Sequence, residues 1–168
     1  MKKLLFLLTL IAFISVSCKK TLTPEENLAV AIKKVQDNDA VQLAADIEKI
    51  KKYITDNKLT ATATPEGIYY VTEDAGLGVD FPRVISSVSA RYKGYLLDGT
   101  VFDEAKTATT FSLQSVIVGW TIGMQKFKRR SKGKLLIPSP FGYGGTARGD
   151  KLPANSILVF DIELVDFN

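Results

Sequence analysis

The one tryptophan of the chain, Trp120, sits in TATTFSLQSVIVGWTIGMQ, a run from Thr107 to Gln125 without a charged residue in a chain that is 24% charged. Such a run can cross a bilayer, fill a core, or line a dry pocket that binds something else. A membrane span needs about 20 mostly apolar residues, and Thr107, Thr109, Thr110, Ser112, Gln114 and Ser115 interrupt this one. Core or pocket remains. Two absences then restrict what a pocket could do. The chain has no histidine, so the commonest general base and the commonest metal ligand are missing. Its single cysteine, Cys18, has no internal disulfide partner. Zinc hydrolysis and Ser-His or Cys-His nucleophilic catalysis are all but excluded, and no cofactor or metal is implied.

The elements that must position such a pocket follow from the rest of the chain. Its 168 residues suit one domain with an appendage. The formal charge of +4 is mild. The dense basic cluster KFKRRSKGK, Lys126 to Lys134, is read as a solvated face in preference to a site for nucleic acid or anionic lipid, so no nucleic-acid partner is expected. At the amino end, MKKLLFLLTLIAFISVSCKK combines Lys2 and Lys3, an apolar stretch from Leu4 to Ile14, and small residues before Cys18. It resembles a bacterial lipoprotein signal, the alternative being an ordinary signal peptide with a cysteine near its end. The resemblance implies removal of residues 1–17, acylation of Cys18 and attachment to a membrane. Lys19 in place of an aspartate implies an outer-membrane protein of the cell envelope facing the periplasm.

Thr23, Pro24 and Glu26 have capping-box spacing with proline at the first helical position, so a helix starts there. Leu28, Ala31, Ile32 and Val35 form one apolar stripe. After the polar DND, Leu43, Ile47, Ile50 and Ile54 form another. Two short amphipathic helices are expected, packed on the domain or serving as a homodimer contact through residues 24–57. Lys58 to Pro65 reads as a linker, and residues 18–60 as lipid attachment and helical neck. From residue 61 to 168 the period changes. GIYYVTE, VSARYKGYLL, KLLIP and SILVFDIELVDF are strand-like, the last with Leu158, Phe160, Ile162 and Leu164 on one face. Trp120, Met124 and Phe127 fall at i, i+4 and i+7, which places a short helix among the strands. The fold class is α+β, an antiparallel sheet with one helix across it, preceded by a helical segment.

RYKGYLLDGTVFDEA, FSLQSVIVGW, IPSPFGYGG and LPANSILVFDIEL follow one another in the order seen in FKBP-type peptidyl-prolyl cis-trans isomerases. The chain resembles that family from about Gly67 to Phe167. The resemblance implies a twisted five- or six-stranded antiparallel sheet wrapped around one short helix, and it turns the uncharged run into a pocket. Val116, Ile117, Trp120 and Phe160 would grip a proline ring, with Trp120 as the floor. Tyr92, Phe102 and Tyr143 would form walls, and Leu152 and Phe111 would line the cavity, Phe111 having plain core as its alternative. The Tyr143 hydroxyl and the Ile117 N–H would donate to substrate carbonyls, and Asp103 would polarise the site. Arg148, a further substrate-binding candidate, stands where the family often has a histidine and Ser115 where it has a glutamate, which implies a rim that binds differently. The arginine that often pairs with the aspartate is missing, and Lys106 is the only basic candidate near Asp103. The implied partners are proline-containing polypeptides and macrolide inhibitors of the family. The implied activity is prolyl isomerisation that assists folding of exported proteins. A proline-peptide-binding chaperone module with weak or no turnover is the alternative.

Overall fold

The computed structural model describes residues 21–168. The expected leader, residues 1–17, and Cys18 lie outside the described residues. No helix among those residues is long and apolar enough to cross a membrane.

The first helix, α1 (Pro24–Asn38), begins on the expected capping box. The Glu26 N–H donates to Thr23 Oγ1 at 3.1 Å and the Thr23 N–H donates to Glu26 Oε2 at 2.8 Å. Asp39 breaks the run, and α2 (Ala40–Asp56) follows. Both apolar stripes are used within the chain. Leu28, Ile32, Val35 and Leu43 pack into the main core, and Ile50, fully buried, joins Tyr53 and Ile54 in a second cluster. The helices therefore fold against their own domain. The stripe of α2 expected to pack on the domain or carry a homodimer is partly covered from within, and Val30 and Val41 are the large exposed apolar residues of the two helices.

Six antiparallel strands follow in the spatial order β1-β2-β5-β6-β3-β4. They are β1 (Thr62–Ala63), β2 (Tyr69–Asp74), β3 (Ser87–Tyr95), β4 (Val101–Ser112), β5 (Lys132–Ile137) and β6 (Leu158–Phe167). β1 corrects the linker reading of residues 58–65: Thr62 and Ala63 pair with Tyr70 and Tyr69, and Leu59 and Ala61 pack on the second cluster. The alternation expected of β6 is present, and both faces are used. Leu158, Phe160, Ile162 and Leu164 face the main core, whereas Ile157 and Val159 meet Leu136 and α2 on the other side.

Helix α3 (Val118–Met124) lies on the main-core face of the sheet, buried from Gly119 through Met124. It can lie so close because Gly119 has no side chain: a Cβ there would stand 2.3 Å from Ile137 Cγ2. Phe127 is buried beyond the helix end rather than on it. The uncharged run thus divides. Thr107 to Thr110 are exposed along β4, an edge strand paired only with β3, while the part from Phe111 onward turns inward and carries α3.

Candidate active site

A cavity of about 280 Å³ opens between α3 and the strands. Its floor is Trp120, 4% exposed, on the first turn of α3, beside Phe160, 4% exposed, on β6. Tyr92 comes from β3, Phe102, Asp103 and Phe111 from β4, and Ser115, Val116 and Ile117 from the turn before α3. Tyr143 closes the rim from the segment after a 3-10 turn at Ser139–Phe141. The rings fix one another edge to face. Trp120 meets Tyr92 at 5.2 Å and 82°, Phe160 at 5.3 Å and 84°, and Phe111 at 5.6 Å and 75°; Phe102 meets Phe160 at 5.6 Å and 87°. Such pairs are worth about 0.5–1.5 kcal/mol each beyond their burial, so the walls are set before any ligand enters. Gly94 makes room for two of them. It lies opposite Phe160 and Asp103 in the sheet, and a Cβ there would stand 2.8 Å from both the Phe102 and the Phe160 rings.

Polar groups sit at the rim. Tyr92 donates its hydroxyl to Asp103 Oδ2 at 2.7 Å. Burial first, and then this bond, push the Tyr92 hydroxyl well above its ordinary value near 10. Asp103 has no cationic partner among the described residues. Lys106, the basic candidate, lies 3.6 Å from Glu104 instead. The Ile117 N–H and the Tyr143 hydroxyl make no hydrogen bond among the described residues, which leaves two donors at the cavity. Tyr143 is held from both sides. The Arg148 guanidinium lies 5.3 Å from its ring centre. Behind it, Gly142 and Gly144 donate their N–H groups to Ser139 O at 2.9 and 2.8 Å. Ser139 is itself gripped by the neck: its N–H and its Oγ donate to Asp46 Oδ2 at 2.8 and 2.6 Å. Asp46 is fully buried, and Gln42 donates to its other oxygen at 2.8 Å.

Of the residues singled out from sequence, Tyr92, Phe102, Asp103, Phe111, Val116, Ile117, Trp120, Tyr143 and Phe160 come together in this cavity. Phe111 is wall rather than plain core. Arg148, expected to bind substrate, is not in the lining, and neither is Leu152. Leu152 is 4% exposed in the main core, where its carbonyl accepts the Arg148 N–H at 2.8 Å and closes the loop behind Tyr143. Arg148 reaches the site only through Tyr143. Sequence reading noted Ser115 as a departure without placing it in the lining, although its position next to Val116 was the available signal. The link from Asp46 to Ser139 was also missed, because the two are far apart in the chain and neither belongs to a motif. Among the described residues no group of three or more Cys, Asp and Glu side chains could hold a metal ion.

A family model for "FKBP-type peptidyl-prolyl cis-trans isomerase" matches residues 79–165, more than half of the chain. The chain belongs to this family. A probable FKBP-type isomerase of Haemophilus influenzae is 35% identical over 147 residues, covering 86% of this chain and 60% of that protein. FkpA of Escherichia coli is 36% identical over 136 residues, covering 79% and 49%. Among solved structures, the peptidyl-prolyl cis-trans isomerase from Pseudomonas syringae superposes with a TM-score of 0.65 at 31% identity, over 74% of this chain and 95% of that one. FkpA from Escherichia coli gives 0.64 at 32% identity, over 86% and 65%. The chain spans about half the length of the curated relatives it matches, 60% of the Haemophilus influenzae protein and 49% of FkpA. The sheet and helix agree with the family fold expected from the motifs.

Proposed function

We propose that the protein catalyses cis-trans isomerisation of X-Pro peptide bonds and so assists folding of proline-containing polypeptides. The observation that carries this reading is the preformed aromatic cavity with Trp120 as its floor and two free donors at its mouth. Rotation about an X-Pro bond crosses a barrier of about 18–20 kcal/mol because it breaks amide resonance, and uncatalysed it takes tens to hundreds of seconds. No nucleophile, metal or proton transfer is needed, which suits a chain without histidine. The twisted transition state carries less charge on its carbonyl than the planar amide does. A dry aromatic wall penalises the planar form more, and each ~1.4 kcal/mol of difference is tenfold in rate.

Trp120, Val116, Ile117 and Phe160 grip the proline ring. Tyr92, Phe102 and Phe111 shape the wall, and Tyr143 and the Ile117 N–H orient the flanking carbonyls. Asp103 acts chiefly by fixing Tyr92. The test is acceleration of isomerisation in an Ala-Leu-Pro peptide, suppressed by a macrolide inhibitor of the family and by Phe160→Ala in protein that stays folded. A wild-type chain that binds the peptide without accelerating it would favour the second reading, a binding module with little turnover, to which the missing cationic partner of Asp103 lends support.

The leader motif supports attachment through an acylated Cys18, in the cell envelope and on an outer membrane facing the periplasm. Cys18→Ser should then release the protein from membranes; a variant that stays bound after a salt wash defeats this part. A homodimer through residues 24–57 would have to form on Val30 and Val41, and sedimentation at rising concentration detects it.

A further inference from the structure

Four of the large apolar side chains exposed among the described residues, Leu77, Val79, Phe81 and Ile85, come from one loop between β2 and β3. Val79 is 80% exposed. From 81 to 86 the loop alternates as a strand does: Pro82, Val84 and Ser86 are buried, whereas Phe81, Arg83 and Ile85 face outward. Outward apolar positions in an alternating segment are the reverse of what a solvated loop needs.

The loop is fixed against the basic turn that precedes β5. Leu77 and Arg129 form an antiparallel bridge, with the Leu77 N–H donating to Arg129 O at 2.7 Å. Gly76 makes the close approach possible, with a positive φ of 68° and no side chain, since a Cβ there would stand 2.3 Å from Arg129 O. The Lys128 ammonium stands 5.5 Å from the Phe81 ring centre. A groove of about 390 Å³ runs between loop and turn, lined by Phe81, Lys126 and Lys128 among others. Arg129 is engaged by Asp166 and the Phe167 carbonyl. Arg83, Lys126, Lys128 and Arg130 make no ion pair among the described residues. Against them the loop from 76 to 85 carries a single acid, Asp80.

We propose that the loop from 77 to 85 and the turn from 126 to 130 form a docking surface for an anionic phospholipid bilayer. Leu77, Val79 and Phe81 enter the interface, and Arg83, Lys126, Lys128 and Arg130 meet lipid phosphates. Apolar tips ringed by unpaired cations match the two layers of such a surface. The emergence of the chain's amino end favours a bilayer over a protein partner. Pro24 lines one small groove with the inward-facing Val84 and with Val116 and Val118, so the chain enters the fold against the inner side of this loop. Cys18 precedes Thr23 by a stretch that extends to no more than about 18 Å. A lipid on Cys18, which is the attachment proposed above, would bring this loop within reach of the membrane. The composition of the surface stands without that attachment.

The test uses the full chain in vesicles of phosphatidylcholine alone and of phosphatidylcholine with phosphatidylglycerol, reading amide hydrogen exchange of residues 75–85 and 126–131. Exchange in both segments should slow at least about fivefold with the anionic lipid, since one basic side chain near such a surface already contributes about that factor. Lys126→Glu/Lys128→Glu/Arg130→Glu should remove the difference while leaving isomerisation of a short peptide unchanged, and Val79→Asp, at a site exposed enough to leave folding alone, should weaken it too. Equal exchange in the two vesicle types overturns the proposal. Slow exchange that follows protein concentration without vesicles also overturns it, because a second copy is then the occupant. Flotation with phosphatidylcholine vesicles reads the Cys18 attachment separately. A chain that stays off those vesicles yet is protected on the anionic ones removes the anchor and keeps the docking surface.

Discussion

A tyrosine hydroxyl, rather than a cation, is the partner of Asp103. The carboxylate therefore serves the cavity mainly as an acceptor that holds the Tyr92 ring against Trp120. Asp103→Asn keeps an acceptor oxygen and should lower kcat/KM about fivefold, the difference between a charged and a neutral hydrogen bond. Asp103→Ala frees Tyr92 and should lower it further; equal losses in the two variants would return the charge itself to the mechanism. Tyr143→Phe removes one donor to substrate and should cost about tenfold, mostly in KM if the bond forms equally in ground and transition states. A second tyrosine makes a stability prediction. Burial first, then a 2.9 Å bond to Asp161, raise the Tyr95 hydroxyl, as burial and Asp103 raise that of Tyr92. A group whose pKa is higher folded than unfolded contributes fully below its unfolded value, near 10 for tyrosine, and loses that contribution as pH rises toward the folded value. Stability should thus be level through neutrality with respect to these groups and decline above about pH 10. Tyr95→Phe should make that decline shallower in urea titrations, and an unchanged slope would detach Tyr95 from it.

The neck helix α2 reaches the site through Asp46, whose carboxylate satisfies both donors of Ser139 and so fixes the turn that carries Tyr143. Asp46→Ala leaves those buried donors without a partner and should cost about 3 kcal/mol in stability. It should also lower kcat/KM in protein that remains folded, whereas a loss of stability with unaltered kinetics would confine Asp46 to packing. Much of this level was legible beforehand. The alternation of β3 and β6, the capping box at Thr23 and the spacing of Trp120 and Met124 each announce an element through local burial. β4 left no such mark, because Thr107 to Thr110 lie on an exposed edge where neither face needs apolar residues. β1 went unread since two residues show no period. Leu152 was misplaced because residue type does not reveal whether a loop leucine points into a cavity or behind it. Phe111, by contrast, followed its motif into the wall. The contact of Asp46 with Ser139 bridges distant segments, so only folding brings it into view.

Across the whole molecule, α1 and α2 are parts of the core rather than a detachable stalk, since Val35 and Ile50 are buried in two different clusters of the same domain. Removing residues before Thr60 should lower Tm by about 10 °C or more, because losing one buried aliphatic side chain of this kind already costs about 2–5 kcal/mol. In the proposed function the aromatic cavity accelerates prolyl isomerisation without moving a proton. This is tested most directly by kcat/KM on an Ala-Leu-Pro peptide between pH 6 and about 8.5, a range in which no histidine is present to titrate. Clear acceleration that is nearly level across that range is expected, with the Tyr92 hydroxyl protonated throughout. No acceleration, or a bell-shaped profile demanding an essential acid and base, would contradict it.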